Sequence, residues 1–179
     1  MKIIIITGMP GAGKSEVAKQ FKQSGLPIVI MGDVIRLEVK KRGMKATPKN
    51  TKKVMLELRA VDGPAAVAER CINQLEKIDS DTVIIEGCRS IPEMNRFREF
   101  SNDVITVAVH SSPITRFTRL QSRNRKDAPE KWEVFRERDL REISVGIGGV
   151  IALSDHMIVN ESSIEELRRI TLKVMESVL

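Results

Sequence analysis

The sequence KIIIITGMPGAGKS, residues 2–15, decides the fold. Its first part, Lys2–Thr7, is mostly apolar and β-branched, which is typical of a strand buried on both faces in a parallel sheet. The segment Gly8–Ser15 fits the pattern G-x-x-x-x-G-K-[ST] at every specified position, and a helical pattern follows it as far as Gly25. A strand, a glycine-rich loop and a helix in this order predict a phosphate-binding loop, or P-loop.

Each residue type in this loop suits the binding of a polyphosphate. Glycines let successive backbone N–H groups turn toward phosphate oxygens, and the start of the helix adds a partial positive charge. Lys14 is placed to reach the β- and γ-phosphates of ATP, and the Ser15 hydroxyl is placed to ligate Mg²⁺ as the cofactor. The loop residues that we predict to bind ATP are Gly8, Met9, Pro10, Gly11, Ala12, Gly13, Lys14 and Ser15.

Length and composition indicate one domain. At 179 residues, with 41% hydrophobic and 30% charged residues, the chain can bury a core of its own, so we expect a single domain over 1–179. Every apolar run is shorter than the roughly 20 residues of a membrane span. The first strand leads directly into the P-loop and does not resemble a secretion signal, so we expect a cytoplasmic protein with no membrane partner. Cys71 and Cys88 have no partner at metal-ligand spacing, and we expect buried thiols.

The charge balance favours an anionic ligand. The chain has 30 Lys and Arg residues against 24 Asp and Glu residues, a formal net charge of +6. A small anionic ligand and nucleic acid both suit this excess. Five Phe, one Trp and no Tyr provide few stacking platforms for single-stranded nucleic acid, so the small ligand is favoured and nucleic acid stays an alternative.

Apolar strand patterns alternate with helical patterns along the whole chain. This order predicts an α/β fold, a three-layer sandwich around a five-stranded parallel sheet. A mostly helical insertion at 33–78 is expected to cover a second substrate, and a short lid is expected at about 121–142. The glycine-rich segment Gly146–Gly149 is expected to break the chain.

Charged residues follow the ends of the predicted strands, where ligands gather in such folds. Glu86 directly follows the third strand and is the candidate, with Ser15, for holding Mg²⁺. Asp33 ends the second strand and could hold metal or substrate. Arg36 and Arg89 are expected over the same rim of the sheet, where two guanidinium groups can bind the phosphate of an acceptor.

The helix after the fourth strand carries a second set of arginines. Arg116, Arg119 and Arg123 are spaced to share one face, and Ile114, Phe117 and Leu120 form the expected core face. A stripe of arginines without acidic partners repels itself, so a nearby anion would relieve it. We predict that three arginines contact phosphates when a lid closes and excludes water: Arg119, Arg123 and Arg138. The predicted catalytic residues are Lys14, Arg89, Arg123 and Arg138, and Arg119 joins the ATP-binding set.

These motifs resemble those of the nucleoside-monophosphate kinases, along the whole chain. Gly8–Ser15 resembles the P-loop of adenylate kinases, and Gly32-Asp33-x-x-Arg36 resembles the segment that receives AMP. Glu86-Gly87-x-Arg89 resembles the segment with the acceptor arginine, and Arg119-Leu120-x-x-Arg123 resembles the lid arginines. Residues 155–167 resemble the last strand and helix of the family. The chain is most similar to adenylate-kinase-related proteins described mainly from archaea, which are also similar to dephospho-CoA kinase.

The resemblance implies transfer of the γ-phosphoryl group of ATP to AMP or another nucleoside monophosphate. Asp33, Arg36 and Arg89 would then bind the acceptor. The chain departs from adenylate kinase at Met31 and Cys88 and in its short lid without zinc cysteines, which leaves the acceptor open. Two alternatives remain: a kinase with another acceptor, such as dephospho-CoA, and a nucleotide-dependent switch or RNA-associated factor.

Overall fold

The computed structural model describes residues 1–122 and 128–179. The strands in these ranges are β1 (Lys2–Thr7), β2 (Ile28–Ile30), β3 (Thr82–Glu86), β4 (Val104–His110) and β5 (His156–Val159). They form one parallel sheet in the order β2–β3–β1–β4–β5. The predicted five-stranded parallel sheet is confirmed.

Helices cover both faces of this sheet. They are α1 (Lys14–Gln23), α2 (Met31–Lys41), α3 (Pro48–Asp62), α4 (Ala66–Leu75), α5 (Ile91–Phe100), α6 (Pro113–Ser122), α7 (Trp132–Val145), α8 (Ile147–Ala152) and α9 (Ile164–Val178). Helices α2, α3 and α4 lie between β2 and β3, where the sequence predicted a helical segment. Within the described ranges, no helix is both long enough and apolar enough to cross a bilayer.

The central strand β1 shows why its sequence is apolar throughout. Ile3 and Ile5 face a core formed with α2, α3, α4, α5 and α8, and Ile4 and Ile6 face a second core formed with α1 and α9. All four side chains are fully buried. A strand covered by helices on both faces needs apolar residues at consecutive positions, because neither face meets water.

The segment Gly146–Gly149 breaks the helical chain as predicted, but only at Gly146. Gly146 has φ 114° and ends α7, but Ile147 already begins α8. A Cβ atom on Gly149 would lie 2.8 Å from Cδ1 of Ile91 on α5. The glycine therefore allows a close approach between two helices, a need that sequence pattern does not distinguish from a turn.

Helix α6 is rotated relative to the predicted orientation. Ile114, expected in the core, is 63% exposed, whereas Arg116, expected on the charged face, is 4% exposed. The periodicity of the sequence predicted that Ile114 is buried, because it carries no information about an acidic partner for Arg116 on another helix. That partner is Asp139 on α7.

Candidate active site

The P-loop crosses the carboxyl end of β1 at a point where the sheet leaves no room for a side chain. Gly8 has φ 143°, and a Cβ atom there would lie 2.2 Å from the carbonyl oxygen of Val109 on β4. Only glycine fits such a backbone and such a contact. The loop then leads into α1, which begins at Lys14.

The Lys14 ammonium group lies over the loop itself. Its Nζ donates hydrogen bonds to the carbonyl oxygens of Gly8 at 2.7 Å and Met9 at 3.1 Å. The positive charge is therefore held beside the backbone that is expected to surround the phosphates. This position suits the predicted role of Lys14 with a polyphosphate.

Ser15 and Glu86 meet, as expected from their positions in the sequence. The register of the sheet pairs Ile6 of β1 with Glu86 of β3, so the carboxylate lies beside the start of the P-loop. The Ser15 hydroxyl donates to Oε1 of Glu86 at 2.8 Å. Hydroxyl and carboxylate oxygens are ligands that Mg²⁺ accepts, so this pair fits a magnesium ion beside the phosphates.

One cavity of about 380 Å³, which we call the cleft, extends from the P-loop to the helices between β2 and β3. Its lining includes both P-loop side chains, the candidate metal ligand and three of the predicted arginines: Lys14, Ser15, Glu86, Arg36, Arg89 and Arg138. These residues come from four separate stretches of sequence. Arg36, Glu86 and Arg89, which were predicted to lie near strand ends, thus line one cavity.

A second cavity of about 510 Å³ borders the P-loop at Gly13. Gly13, Lys19, Arg119 and Asn160 are among its lining residues. In the described part of the chain, Arg119 therefore lines a different cavity from Arg138. Arg123, the third predicted lid arginine, lies outside the described residues.

Asn160 connects the P-loop to Arg119, a connection that sequence reasoning missed. Its Nδ2 donates to the carbonyl oxygen of Ala12 at 2.8 Å. Arg119 donates to the carbonyl oxygen of Asn160 at 3.0 Å and to its Oδ1 at 3.2 Å. The resemblance quoted Asn160 after the last strand, but no local pattern links it to the first loop.

The start of α6 is also held from the β5–α9 connection. Glu161 accepts hydrogen bonds from the Thr115 hydroxyl, at 2.6 Å, and from the Ser112 backbone and hydroxyl. These bonds, that from Thr115 above all, lower the pKa of the exposed Glu161 carboxyl below its usual value. Glu161 therefore helps to fix the helix that carries Arg119.

The predicted acceptor residues are already paired with acidic side chains. Arg36 and Asp33 are one turn apart on α2. Arg36 donates to Oδ1 of Asp33 through Nε at 2.8 Å and also through Nη2. Arg89 donates to Oε1 of Glu142 on α7 at 3.1 Å. Both arginines are partly exposed, so each pair is weak enough for a ligand anion to replace it. Asp33 lies in the first turn of α2 and does not cap it.

Arg116 anchors α7 to the P-loop. It forms a bidentate pair with Asp139, at 2.8 and 2.6 Å, and its Nη1 donates to the carbonyl oxygen of Pro10 at 3.3 Å. Its guanidinium carbon also lies 5.0 Å from the centroid of the Phe135 ring. The expectation of an arginine stripe without acidic partners was wrong at Arg116. Because Asp139 follows Arg138, the pair also fixes the helix that brings Arg138 to the cleft.

Cys71 and Cys88 are buried thiols, as predicted. Burial, together with a smaller effect of the nearby Glu93 carboxylate, raises the pKa of the Cys71 thiol to about 12. Burial likewise raises the pKa of Cys88 well above its usual value. Neither thiol is ionised near neutral pH, so neither has the reactivity of a nucleophile.

Comparison with known proteins identifies the family of the chain. The AAA domain family model matches residues 4–143. A relative named UPF0200 protein MJ1399, from Methanocaldococcus jannaschii, is 46% identical over 100% of this chain and 91% of its own length. A UPF0200 protein from Thermococcus onnurineus is 44% identical over 99% of this chain and 98% of its own. The chain belongs to both families.

Solved structures support the fold of this AAA-domain, UPF0200 chain. TT1252 from Thermus thermophilus superposes with a TM-score of 0.69 at 18% identity, covering 99% of this chain and 98% of that one. A shikimate kinase from Bacteroides thetaiotaomicron gives 0.62 at 17% identity, covering 98% of each chain. The predicted P-loop kinase-like fold is confirmed. The sequence relatives carry the UPF0200 name, so the comparisons show a P-loop kinase-like fold and do not single out adenylate kinase.

Proposed function

We propose that this protein is an ATP-dependent phosphotransferase that acts on a small phosphorylated acceptor, with AMP or another nucleoside monophosphate as the first class to test. One observation carries the proposal. The P-loop lysine and the Ser15–Glu86 pair line the same cleft as Arg36, Arg89 and Arg138. A polyphosphate on one side and an acceptor anion on the other would thus meet in one cavity.

The residues divide the work of an in-line transfer. The bond between the γ-phosphorus and its bridging oxygen breaks, a bond to an acceptor oxygen forms, and ADP leaves without a covalent enzyme intermediate. Lys14 would neutralise charge on the transferring group, with Arg138 and Arg123 completing the set from the lid. Arg36, oriented by Asp33, and Arg89 would hold the acceptor. Bound at Ser15 and Glu86, Mg²⁺ would supply charge neutralisation on the phosphates.

The second cavity suits the nucleoside part of ATP. It lies next to Gly13 and is bordered by Arg119 and Asn160, which are hydrogen-bonded to each other. Asn160 is also hydrogen-bonded to the P-loop, at the carbonyl oxygen of Ala12. A planar guanidinium group can stack on a base and donate to it at the same time. We therefore assign Arg119 to ATP, and the cleft to the phosphates and the acceptor.

The test is calorimetry with Mg·ADP followed by a coupled assay with Mg·ATP and a panel of acceptors. The panel contains nucleoside monophosphates, dephospho-CoA, and shikimate as a hydroxyl acceptor. We expect binding of Mg·ADP and turnover with a phosphorylated member. Lys14→Ala should lower turnover at least about 100-fold and leave the fold intact, because it removes a charge that acts in the transition state.

Lys22→Ala is the matched control, since Lys22 is exposed on the same helix. It should keep wild-type turnover. Absence of Mg·ADP binding would overturn the proposal, as would wild-type turnover in Lys14→Ala. Binding with only slow ATP hydrolysis, together with steeply salt-dependent RNA binding, would favour the nucleotide-dependent switch.

A further inference from the structure

A buried ion pair lies at the side of the cleft formed by α3 and α5. Arg59 of α3 donates through Nη2 to Oε1 of Glu93 on α5 at 2.7 Å. The Glu93 side chain is 2% exposed. Its other oxygen, Oε2, accepts from the backbone N–H of Arg89 at 3.0 Å. One carboxylate therefore fixes both the Arg59 guanidinium and the backbone of a predicted acceptor residue.

Arg59 has binding capacity that this pair does not use. Its Nε is buried and has no hydrogen-bond partner among the described residues. The side chain is 17% exposed and lines the cleft. A guanidinium group carries five N–H donors and no acceptor, and a buried donor without a partner is costly. The exposed part of the Arg59 side chain borders the cleft, so the guanidinium donors that Glu93 does not use are available to an acceptor on a ligand there.

The surroundings of Arg59 restrict what that ligand presents. Ile35, Met55 and Val67 provide apolar lining in the same cleft, which suits a flat ring. A ligand amino group near Arg59 would need an acceptor, but both oxygens of the buried Glu93 are already engaged. This side of the cleft therefore offers donors to the ligand.

We infer that Arg59, held in place by Glu93, is a specificity-determining residue that recognises an oxygen acceptor on the phosphoryl acceptor, such as the oxo group of a base. The inference rests on the proposed function and narrows its substrate class. For nucleoside monophosphates it favours a 6-oxopurine over adenine. The oxo group can accept a hydrogen bond from Arg59, whereas the exocyclic amino group of adenine would place its own donor against the donors of Arg59.

The test compares IMP with AMP as acceptors for Mg·ATP. The two differ at position 6, oxo against amino, and in the proton on N1. We expect kcat/KM for IMP to exceed that for AMP by about tenfold, the discrimination typical of one specific arginine contact with a base. Arg59→Lys keeps the charge and can still pair with Glu93, but one ammonium group cannot donate to Glu93 and to the ligand with the geometry of a guanidinium group, so the preference should be lost while the fold remains.

The double variant Arg59→Met/Glu93→Gln removes both charges together, so no charge is left buried without its partner. It therefore tests the preference even if a single variant fails to fold. It should also treat IMP and AMP alike. Arg70→Met is the control, because Arg70 pairs with Asp62 at the surface and is not among the described lining of the cleft. It should keep the wild-type preference.

The inference is overturned by equal or better use of AMP, or by a preference for IMP that persists in Arg59→Lys and the double variant. If Mg·ADP binds but neither nucleotide is phosphorylated, the inference is wrong and the nucleotide site stands. If Mg·ADP does not bind, the proposed function itself fails.

Discussion

The two sides of the cleft are held in place by different kinds of interaction. On the P-loop side the positions are set by backbone: the close packing of Gly8 against β4, and the loop carbonyls that hold Lys14 and Asn160. On the α3–α5 side they are set by charged side chains, above all Arg59 with Glu93. Backbone geometry gives a rigid site for a constant group such as a triphosphate, whereas side chains can change with the acceptor.

The largest effect should come from a side chain at Gly8. In Gly8→Ala the new Cβ would overlap a β4 carbonyl and adopt an unfavourable φ, so we expect a loss of at least about 3 kcal/mol of folding free energy, measured by urea unfolding. Gly43→Ala is the control, because φ there is 70° and nothing lies within 4 Å. It should cost about 1 kcal/mol. Similar losses in both variants would show that the approach to β4 is unimportant.

The second effect tests the ion pair on the other side of the cleft. Glu93→Ala leaves the Arg59 charge largely buried without its partner, and we expect the unfolding free energy to fall by about 3 kcal/mol. Glu69→Ala removes an exposed pair with Arg96 between α4 and α5 and should cost less than about 1 kcal/mol. Chemical denaturation of the two variants side by side distinguishes them. Equal small losses would mean that Glu93 does not hold Arg59.

The third effect concerns the pair of Arg116 with Asp139, which holds α7 next to the P-loop. Asp139→Asn keeps the size of the side chain but removes the charge that pairs with the 4%-exposed Arg116, so we expect a loss of about 2 kcal/mol. Amide exchange should increase along α7, and Mg·ADP should bind more weakly because Arg116 also contacts Pro10. Glu137→Gln, exposed on the same helix, is the control. Unchanged exchange in α7 would contradict the anchor.

The smallest effect is a fall in stability at alkaline pH. An unfolded thiol loses its proton near its usual pKa of 9.0, whereas in the folded protein the pKa of Cys71 is about 12. The stabilisation is therefore complete below pH 9 and is lost as pH rises toward 12. At pH 10 each thiol should lower the unfolding free energy by about 1 kcal/mol. Thermal melts at pH 7.5 and 10 should show a smaller difference in Cys71→Ala/Cys88→Ala, and equal differences would refute the assignment.

The same contrast explains which features the sequence could predict. The sheet and the P-loop follow from local patterns, since the strand Lys2–Thr7, its glycines and Lys14 are contiguous. The Ser15–Glu86 contact was also predictable, because parallel strands bring their carboxyl ends to one edge.

The missed features all join distant residues. Arg59 and Glu93 are 34 positions apart, and Arg116 and Asp139 are 23 apart, with no local pattern that selects either partner. The rotation of α6 was missed for the same reason, since burying Arg116 is favourable only with Asp139 in place.

The lengths of the outermost strands have a consequence for solubility. The sheet ends in β2, with three residues, and β5, with four, whereas the three inner strands have five to seven. A short border offers few unpaired backbone groups on which another chain could add a strand. Lengthening β5 with alternating valines would extend that border and should promote aggregation between molecules, even though the cleft lies elsewhere.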